Sequence, residues 1–160
     1  MHELQKNYYP RGLNMSSKKA RLIIIISSGL FLLIDQILKY QALYNWTTPN
    51  LISPYFGWQL FLNKGVAFGL PLSNTLTILI TLPMIGLIGY LLYKHLNTPK
   101  LLLAWSMLLT GSLSNLLDRV IYHQVIDYLL IGTAIINLGD ILILAGLLIY
   151  LLSLKTKKAE

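Results

Sequence analysis

Four long apolar segments constrain this chain more than any other feature of its sequence. They cover about residues 22–44, 75–93, 101–117 and 136–154 of the 160 residues. A helix of about 20 apolar residues spans the hydrocarbon core of a bilayer. A chain that is 55% hydrophobic and 12% charged also has more apolar surface than a soluble domain of this length can bury. The sequence therefore predicts an all-α integral membrane protein with four transmembrane helices, in a single membrane domain over residues 1–160.

The basic residues predict how these helices are oriented. Ten of the thirteen Lys and Arg residues lie before the first segment, between the second and third, or after the fourth. Because Lys and Arg are enriched in cytoplasmic flanks, we expect cytoplasmic tails at residues 1–21 and 155–160. The connections at residues 45–74 and 118–135 are then external.

The first apolar segment could be mistaken for a cleaved signal peptide, because basic residues precede it. The segment is longer than a signal-peptide core, and no Ala-X-Ala site follows it. We therefore expect a retained helix. The polar stretch before it carries no motif that indicates a function.

The first external connection is interrupted by prolines and contains a strand pattern. Trp58, Leu60 and Leu62 alternate with Gln59 and Phe61 and lead into an Asn-Lys-Gly turn. We expect a small extracytoplasmic β-sheet between helices 1 and 2. Between helices 3 and 4 we expect an extracytoplasmic loop.

Three of the six acidic residues lie between residues 111 and 140, namely Asp118, Asp127 and Asp140. A charged side chain in a membrane segment costs about 2.5 to 3.5 kcal/mol and is retained mainly when it is paired or functional. Two carboxyls held close together share one proton, so one can activate water while the other donates to a carbonyl. Asp127 and Asp140 are the candidate pair for such peptide hydrolysis. A salt bridge between Asp127 and Arg119, or a solvated loop aspartate, is the alternative.

Other polar residues are predicted to lie beside this pair. Asn137 shares a helix face with Asp140, and Asn115 lies on one face of helix 3 with Asp118 or Arg119. The Arg119 guanidinium can hold a carboxylate or a backbone carbonyl, or extend to the membrane interface.

Three further features are compatible with structural roles. Asp35 and Lys39 are four residues apart and are expected to pair. Asn63 and Gly65 could serve only as turn residues. A ridge of small side chains on helix 3 allows close approach of a neighbouring helix; it consists of Ser106, Thr110 and Ser114.

Several function classes are disfavoured by composition. The chain has no cysteine, which excludes a thiolate nucleophile, a disulfide framework and a Cys-based zinc site. His123 is the only histidine near the carboxylates, so no metal or cofactor is expected. The net charge of +7 comes from residues beside apolar segments rather than from a patch with aromatic residues, so no nucleic-acid partner is expected.

Two non-proteolytic functions remain possible from pattern alone. One is a small proton-coupled transporter subunit that uses intramembrane carboxylates as a relay, and the other is an assembly factor that binds a partner helix. A relay needs groups through the whole membrane depth, whereas the inner halves of the four segments lack acidic residues.

The chain resembles the lipoprotein signal peptidases, or type II signal peptidases, of bacteria. Five sequence blocks carry the resemblance in order over nearly all of the chain after the N-terminal tail. They are DQILK at residues 35–39, NKGVAF at 63–68, GSLSNLLDR at 111–119, VIDY at 125–128 and NLGD at 137–140.

The resemblance implies an intramembrane aspartyl protease of the bacterial cytoplasmic membrane, with its active site at the outer leaflet. Such enzymes remove the signal peptide from a diacylglyceryl-modified prolipoprotein just before the lipidated cysteine, and globomycin-type peptides inhibit them. The catalytic aspartates of the family match Asp127 and Asp140. Residues that match its substrate-orienting and supporting groups are Asn63, Gly65, Asn115, Arg119, Asn137, Asp118, Asp35 and Lys39. We expect membrane lipids as neighbours and a monomeric enzyme.

Four positions depart from the pattern of the family without removing a catalytic group. Ser114 and His123 stand where glycine is common, Tyr128 where phenylalanine is frequent, and Gly139 where alanine is usual. The His123 departure bears on the loop conformation and on substrate preference.

Overall fold

The computed structural model of the protein describes residues 17–46, 48–65 and 72–157. Within them the chain forms four α-helices and four β-strands. In chain order these are α1 (Ser17–Tyr44), β1 (Asn50–Ser53), β2 (Phe56–Asn63), α2 (Asn74–Lys94), α3 (Pro99–Tyr122), β3 (Val125–Ile131), β4 (Ala134–Ile136) and α4 (Leu138–Lys157). Most of the predicted N-terminal tail, the last three residues of the chain and the NKGVAF block after Gly65 lie outside the described residues.

All four helices are long and apolar enough to cross a membrane. Their outward side chains are large, apolar and about half exposed, as in Leu33, Leu79 and Leu148. Lipid tails solvate such a surface, whereas water would not. The predicted four-helix membrane protein is confirmed, although α1 begins five residues before the predicted segment and α3 ends five residues beyond it.

Helix α3 is the central helix and packs against α1, α2 and α4. Its predicted small-residue ridge, Ser106, Thr110 and Ser114, is buried. Gly111 on α3 lies so close to α4 that a Cβ at this position would overlap the carbonyl of Gly139. Small side chains therefore allow the two helices to approach at backbone distance.

The strands form one antiparallel sheet in the order β1-β2-β3-β4. This confirms the small sheet predicted in the first connection. The second connection was predicted only as a loop, and there the prediction needs correction, because it contributes β3 and β4. The first four residues of β3 are all buried, so its sequence lacks the alternation of apolar and polar residues that marks a half-buried strand.

An aromatic cluster attaches the sheet to the end of α1. Tyr128 of β3 packs with Ala42 of α1, and its ring stacks on that of Trp58 at a centroid distance of 6.1 Å. Trp46 lies against Trp58 at 5.1 Å. The cluster fixes β3 relative to α1, and Asp127 is the residue that precedes Tyr128.

Candidate active site

Asp127 on β3 and Asp140 in the first turn of α4 come together at the sheet end of the helix bundle. Both line the same groove, which has a volume of about 1340 Å³. Asn137 contacts both residues: its side-chain amide donates to Oδ1 of Asp127 at 2.6 Å, and its backbone N–H donates to Oδ2 of Asp140 at 3.3 Å. The structure therefore connects the two carboxyls through a single residue.

The start of α4 explains how Asp140 is held. The backbone N–H of Asp140 donates to Oδ1 of Asn137 at 2.9 Å, while Oδ2 of Asp140 accepts the backbone N–H of Asn137. This reciprocal pair satisfies two N–H groups that a helix start leaves without intrahelical partners. It also turns the amide nitrogen of Asn137 toward Asp127.

Asp127 is almost completely buried, with 1% of its surface exposed. Its Oδ2 accepts a hydrogen bond of 3.0 Å from the amide of Asn63. Burial, and then the negative charge of Asp140, raise the pKa of Asp127 to about 6 from its ordinary value of 3.8, although the bonds from Asn63 and Asn137 oppose the rise. Asp127 thus retains a proton at pH values where an ordinary aspartate has lost it.

The turn after β2 holds Asn63 and Arg119 together through Gly65. The backbone N–H of Gly65 donates to Oδ1 of Asn63 at 3.0 Å, and its carbonyl accepts Nη2 of Arg119 at 2.7 Å. Of the roles considered for Arg119, the structure shows the hydrogen bond to a backbone carbonyl. Its Nη1 is buried and has no hydrogen-bond partner among the described residues, and Arg119 lines the groove.

Asn115 on α3 connects Asp140 to a buried ion cluster. Its amide nitrogen donates to Oδ1 of Asp140 at 2.8 Å, and its Oδ1 accepts Nζ of Lys39 at 3.1 Å. The predicted pair of Asp35 and Lys39 is present at 3.0 Å, and Lys39 also contacts Asp118 at 2.9 Å. All three charged side chains are at most 1% exposed, so they lie behind the site and not on the groove wall.

Three residues of this cluster were not predicted as part of it. The Ser114 hydroxyl donates to Asp35 at 2.5 Å and accepts Lys39 at 3.0 Å. Gln36 donates to Ser114 at 2.9 Å. Tyr128 also donates to Asp35. A glutamine in an apolar segment was an available signal for Gln36, whereas nothing in the sequence distinguishes the Tyr128 hydroxyl from that of an interfacial tyrosine.

The described residues contain no group of three or more His, Cys, Asp or Glu side chains arranged to hold a metal ion. The polar groups of the groove are amides, hydroxyls, two cations (Lys64 and Arg119) and the two carboxyls. His123 caps the end of α3 with a left-handed backbone at φ 58°, a conformation that glycine adopts most readily. A glycine, which the family resemblance leads us to expect at this position, would adopt this conformation without strain.

The groove has apolar walls below the carboxyls. They come from α2, α3 and α4 and include Met84, Leu116, Ile143 and Leu144. Met84 and Leu144 are 56% and 63% exposed on the outer surface of the helices. The groove therefore reaches the apolar outer surface of the bundle on one side and strand β2, at Phe61, on the other.

Comparison with known proteins agrees with this architecture. Residues 27–156 match the family described as Signal peptidase (SPase) II. The lipoprotein signal peptidase of Clostridium novyi (strain NT) is 32% identical over 135 residues, which cover 78% of this chain and 90% of the relative. The lipoprotein signal peptidase of Syntrophus aciditrophicus (strain SB) is 30% identical over 158 residues, covering 89% and 98%.

Solved structures support the fold. A bacterial membrane enzyme determined by the in meso method at 2.3 Å resolution superposes with a TM-score of 0.78 at 21% identity, covering 88% of this chain and 90% of that one. A second, at 1.9 Å resolution, gives a TM-score of 0.69 at 22% identity, covering 85% and 92%. Because the family match extends from α1 through the sheet into the last turns of α4, the chain is a multi-pass membrane protease that belongs to the signal peptidase II family.

Proposed function

We propose that this protein is an intramembrane aspartyl endopeptidase that removes signal peptides from diacylglyceryl-modified prolipoproteins, cutting just before the lipidated cysteine. The observation that carries the proposal is the convergence of Asp127 and Asp140 on Asn137 in one groove. The family match and the names of the bacterial relatives support the substrate class.

The first chemical step uses the two carboxyls in different protonation states. The ionised carboxylate takes a proton from a water molecule, whose oxygen forms a bond to the scissile carbonyl carbon. The protonated carboxyl gives its proton to the carbonyl oxygen, which yields a neutral gem-diol. The raised pKa of Asp127 supports a dyad that carries one proton at neutral pH.

The second step breaks the peptide bond and restores the dyad. The carboxyl that received the proton of water passes it to the leaving nitrogen as the C–N bond breaks. The other carboxylate takes a proton from a diol hydroxyl as the C=O bond re-forms. One carboxyl is again protonated and the other ionised, so the cycle needs no metal or cofactor.

Polar groups beside the dyad orient the peptide. The unpartnered Nη1 of Arg119 is a buried donor that a substrate backbone carbonyl can satisfy, and its loss of hydration favours a polar ligand. Asn63, Asn115 and Asn137 hold the carboxyls toward the groove. A globomycin-type peptide is expected to occupy the same groove.

We expect the protein to lie in the bacterial cytoplasmic membrane with both termini inside. Lys18, Lys94 and Lys155 lie at helix ends away from the sheet, and the positive-inside rule makes this end of the bundle the cytoplasmic one. The dyad is then at the outer leaflet. A substrate that keeps its lipid in the bilayer enters through the apolar side of the groove. In a monomeric enzyme, no second subunit covers this side.

The test is cleavage of a synthetic diacylglyceryl-prolipoprotein by the purified protein in mixed micelles. Asp127→Asn and Asp140→Asn are each expected to lower kcat at least about 10²-fold, since loss of a general acid or base costs roughly 10²–10⁴-fold. Ser153→Ala, near the far end of α4, is the control and should cleave at the wild-type rate. Cleavage that survives both aspartate substitutions would exclude the dyad, and a relay or assembly protein would show no cleavage at all.

A further inference from the structure

The three asparagines of the site cannot rotate freely, because each accepts a hydrogen bond from a group that only donates. An amide oxygen held by such a group leaves the amide nitrogen pointing to the opposite side. In every case that nitrogen faces a dyad carboxyl. Asn63 accepts from the Gly65 N–H and donates to Asp127. Asn137 accepts from the Asp140 N–H and donates to Asp127. Asn115 accepts from Lys39 Nζ and donates to Asp140.

The two carboxyls nevertheless have different surroundings. Asp127 lies within a strand and receives only side-chain amides. Asp140 lies in the first turn of α4, receives a backbone N–H, and sits where the partial positive charge of a helix N-terminus favours an anion. Its second donor, Asn115, is polarised by the charge of Lys39.

The charged groups around the site come from several elements. They are Asp35 and Lys39 on α1, Asp118 and Arg119 on α3, Asp127 on β3 and Lys64 after β2. Lys39 also balances Asp35 and Asp118 by direct contact. Of the two cations buried among the described residues, Lys39 is joined to Asp140 through a single amide, whereas Arg119 donates to the Gly65 carbonyl.

We propose that Lys39 is a positioning residue that acts through Asn115 to keep Asp140 ionised, so that Asp140 is the base of the dyad and Asp127 is its acid. The assignment rests on the proposed protease function. Asp140 then takes the proton of water and later passes it to the leaving nitrogen. Asp127 protonates the carbonyl oxygen and recovers a proton from the gem-diol.

Two matched substitutions distinguish the two assignments. Asn115→Ala removes a donor from Asp140, and Asn63→Ala removes a donor from Asp127. In a profile of kcat/KM against pH, the lower limb reports the base and the upper limb the acid. Asn115→Ala should move the lower limb up by about one pH unit, the size of one charge-assisted hydrogen bond. Asn63→Ala should move the upper limb up by a similar amount.

The opposite pattern, or movement of the same limb by both variants, would overturn the assignment. Either outcome leaves the protease function intact as long as the two aspartates remain essential. Loss of the aspartate requirement would instead reject the protease function itself. The two failures are therefore distinguishable in one set of purified variants.

The role of Lys39 is tested by its dependence on Asn115. Lys39→Arg keeps the charge but changes the donor geometry, and it should move the lower limb without changing KM. When Lys39→Arg is added to Asn115→Ala, neither limb should move relative to the profile of Asn115→Ala alone. An equal shift in both backgrounds would show that Lys39 does not act through Asn115.

A second variant, Asn115→Asp, tests the same role if Lys39→Arg does not fold. Asn115→Asp can still pair with Lys39, but it offers no donor to Asp140 and adds a negative charge beside it. It should move the lower limb further than Asn115→Ala does. A smaller shift than that of Asn115→Ala would contradict the proposal.

Discussion

The Tyr128 hydroxyl donates a hydrogen bond of 2.8 Å to Oδ1 of Asp35, joining residues 93 positions apart in the chain. The same hydroxyl accepts the backbone N–H of Leu138 at 3.1 Å. Strand β3, helix α1 and the start of α4 therefore meet at one buried point. Since Asp127 precedes Tyr128 and Asp140 follows Leu138 by two residues, this junction fixes the two aspartates relative to each other.

Tyr128→Phe should lower the free energy of unfolding by about 1 kcal/mol, the net contribution of a buried hydrogen bond. The loss stays moderate because Leu138 N–H still donates to Asp35 at 3.1 Å. Denaturant unfolding in mixed micelles measures it. Tyr93→Phe is the matched control, because Tyr93 is 73% exposed and its substitution should have no effect. Equal stability of both variants and the wild type would show that the junction contributes nothing.

Lys39→Met should be far more disruptive. It leaves Asp35 and Asp118 buried without their cation, and breaking a buried ion pair on one side costs about 3–5 kcal/mol. Adding Asp118→Asn should restore part of this loss, since one uncompensated charge is then removed. Lys94→Met, at an exposed helix end, serves as the control. A Lys39→Met protein as stable as that control would contradict the account of the cluster.

The helices and the main polar residues could be predicted from sequence for simple physical reasons. Lipid requires long apolar segments, so each span is visible in the chain. The Asp35 and Lys39 pair follows from spacing along one helix. Asp127 and Asp140 stood out because carboxyls are rare in such a chain.

The remainder depends on contacts between distant segments, which spacing does not specify. Strand β3 is buried at successive positions, so its sequence does not alternate. Ser114 fitted a packing ridge, and its hydrogen bond to Asp35 depends on how α1 and α3 are oriented. Likewise, the way α1, α3 and α4 pack together decides that Asn115 links Lys39 to Asp140.

His123→Gly should stabilise the protein by about 1 kcal/mol, because a left-handed backbone strains residues that carry a Cβ. His123 caps α3 at φ 58° and ψ 17°. His95→Gly is an informative comparison, since His95 caps α2 at φ −107° and its ring Nδ1 lies 2.7 Å from the Leu91 carbonyl. It should be destabilising. Thermal unfolding of both variants gives the signs, and destabilisation by His123→Gly would contradict the role assigned to backbone strain.

Gly111→Ala should separate α3 from α4 and reduce cleavage. The added Cβ would overlap the Gly139 carbonyl and lie 2.8 Å from the Ile143 side chain, and overpacking of this kind costs about 1–3 kcal/mol. Asn115 lies one turn further along α3, so its bond to Asp140 should lengthen. Gly89→Ala is the control: its Cβ would meet nothing within 4 Å, and alanine favours a helix. Comparable loss of cleavage in both variants would argue against close packing at Gly111.

Asp127→Asn should have an effect on stability that depends on pH. The native pKa of Asp127 is raised to about 6 from 3.8, so the folded protein binds more protons than the unfolded chain between these values. Its stability therefore falls as pH rises from about 4 to about 6, by at most about 3 kcal/mol for a shift of this size. Asparagine does not titrate, so the variant should lack this contribution, and the free energy of unfolding of the variant minus that of the wild type should increase from pH 4 to pH 7. Urea unfolding in mixed micelles at these two pH values measures the change.

The exposed substitution Asn45→Ala is the control for the titration of other groups. A stability difference between Asp127→Asn and the wild type that does not vary with pH would show that Asp127 ionises in the folded protein as an ordinary aspartate does.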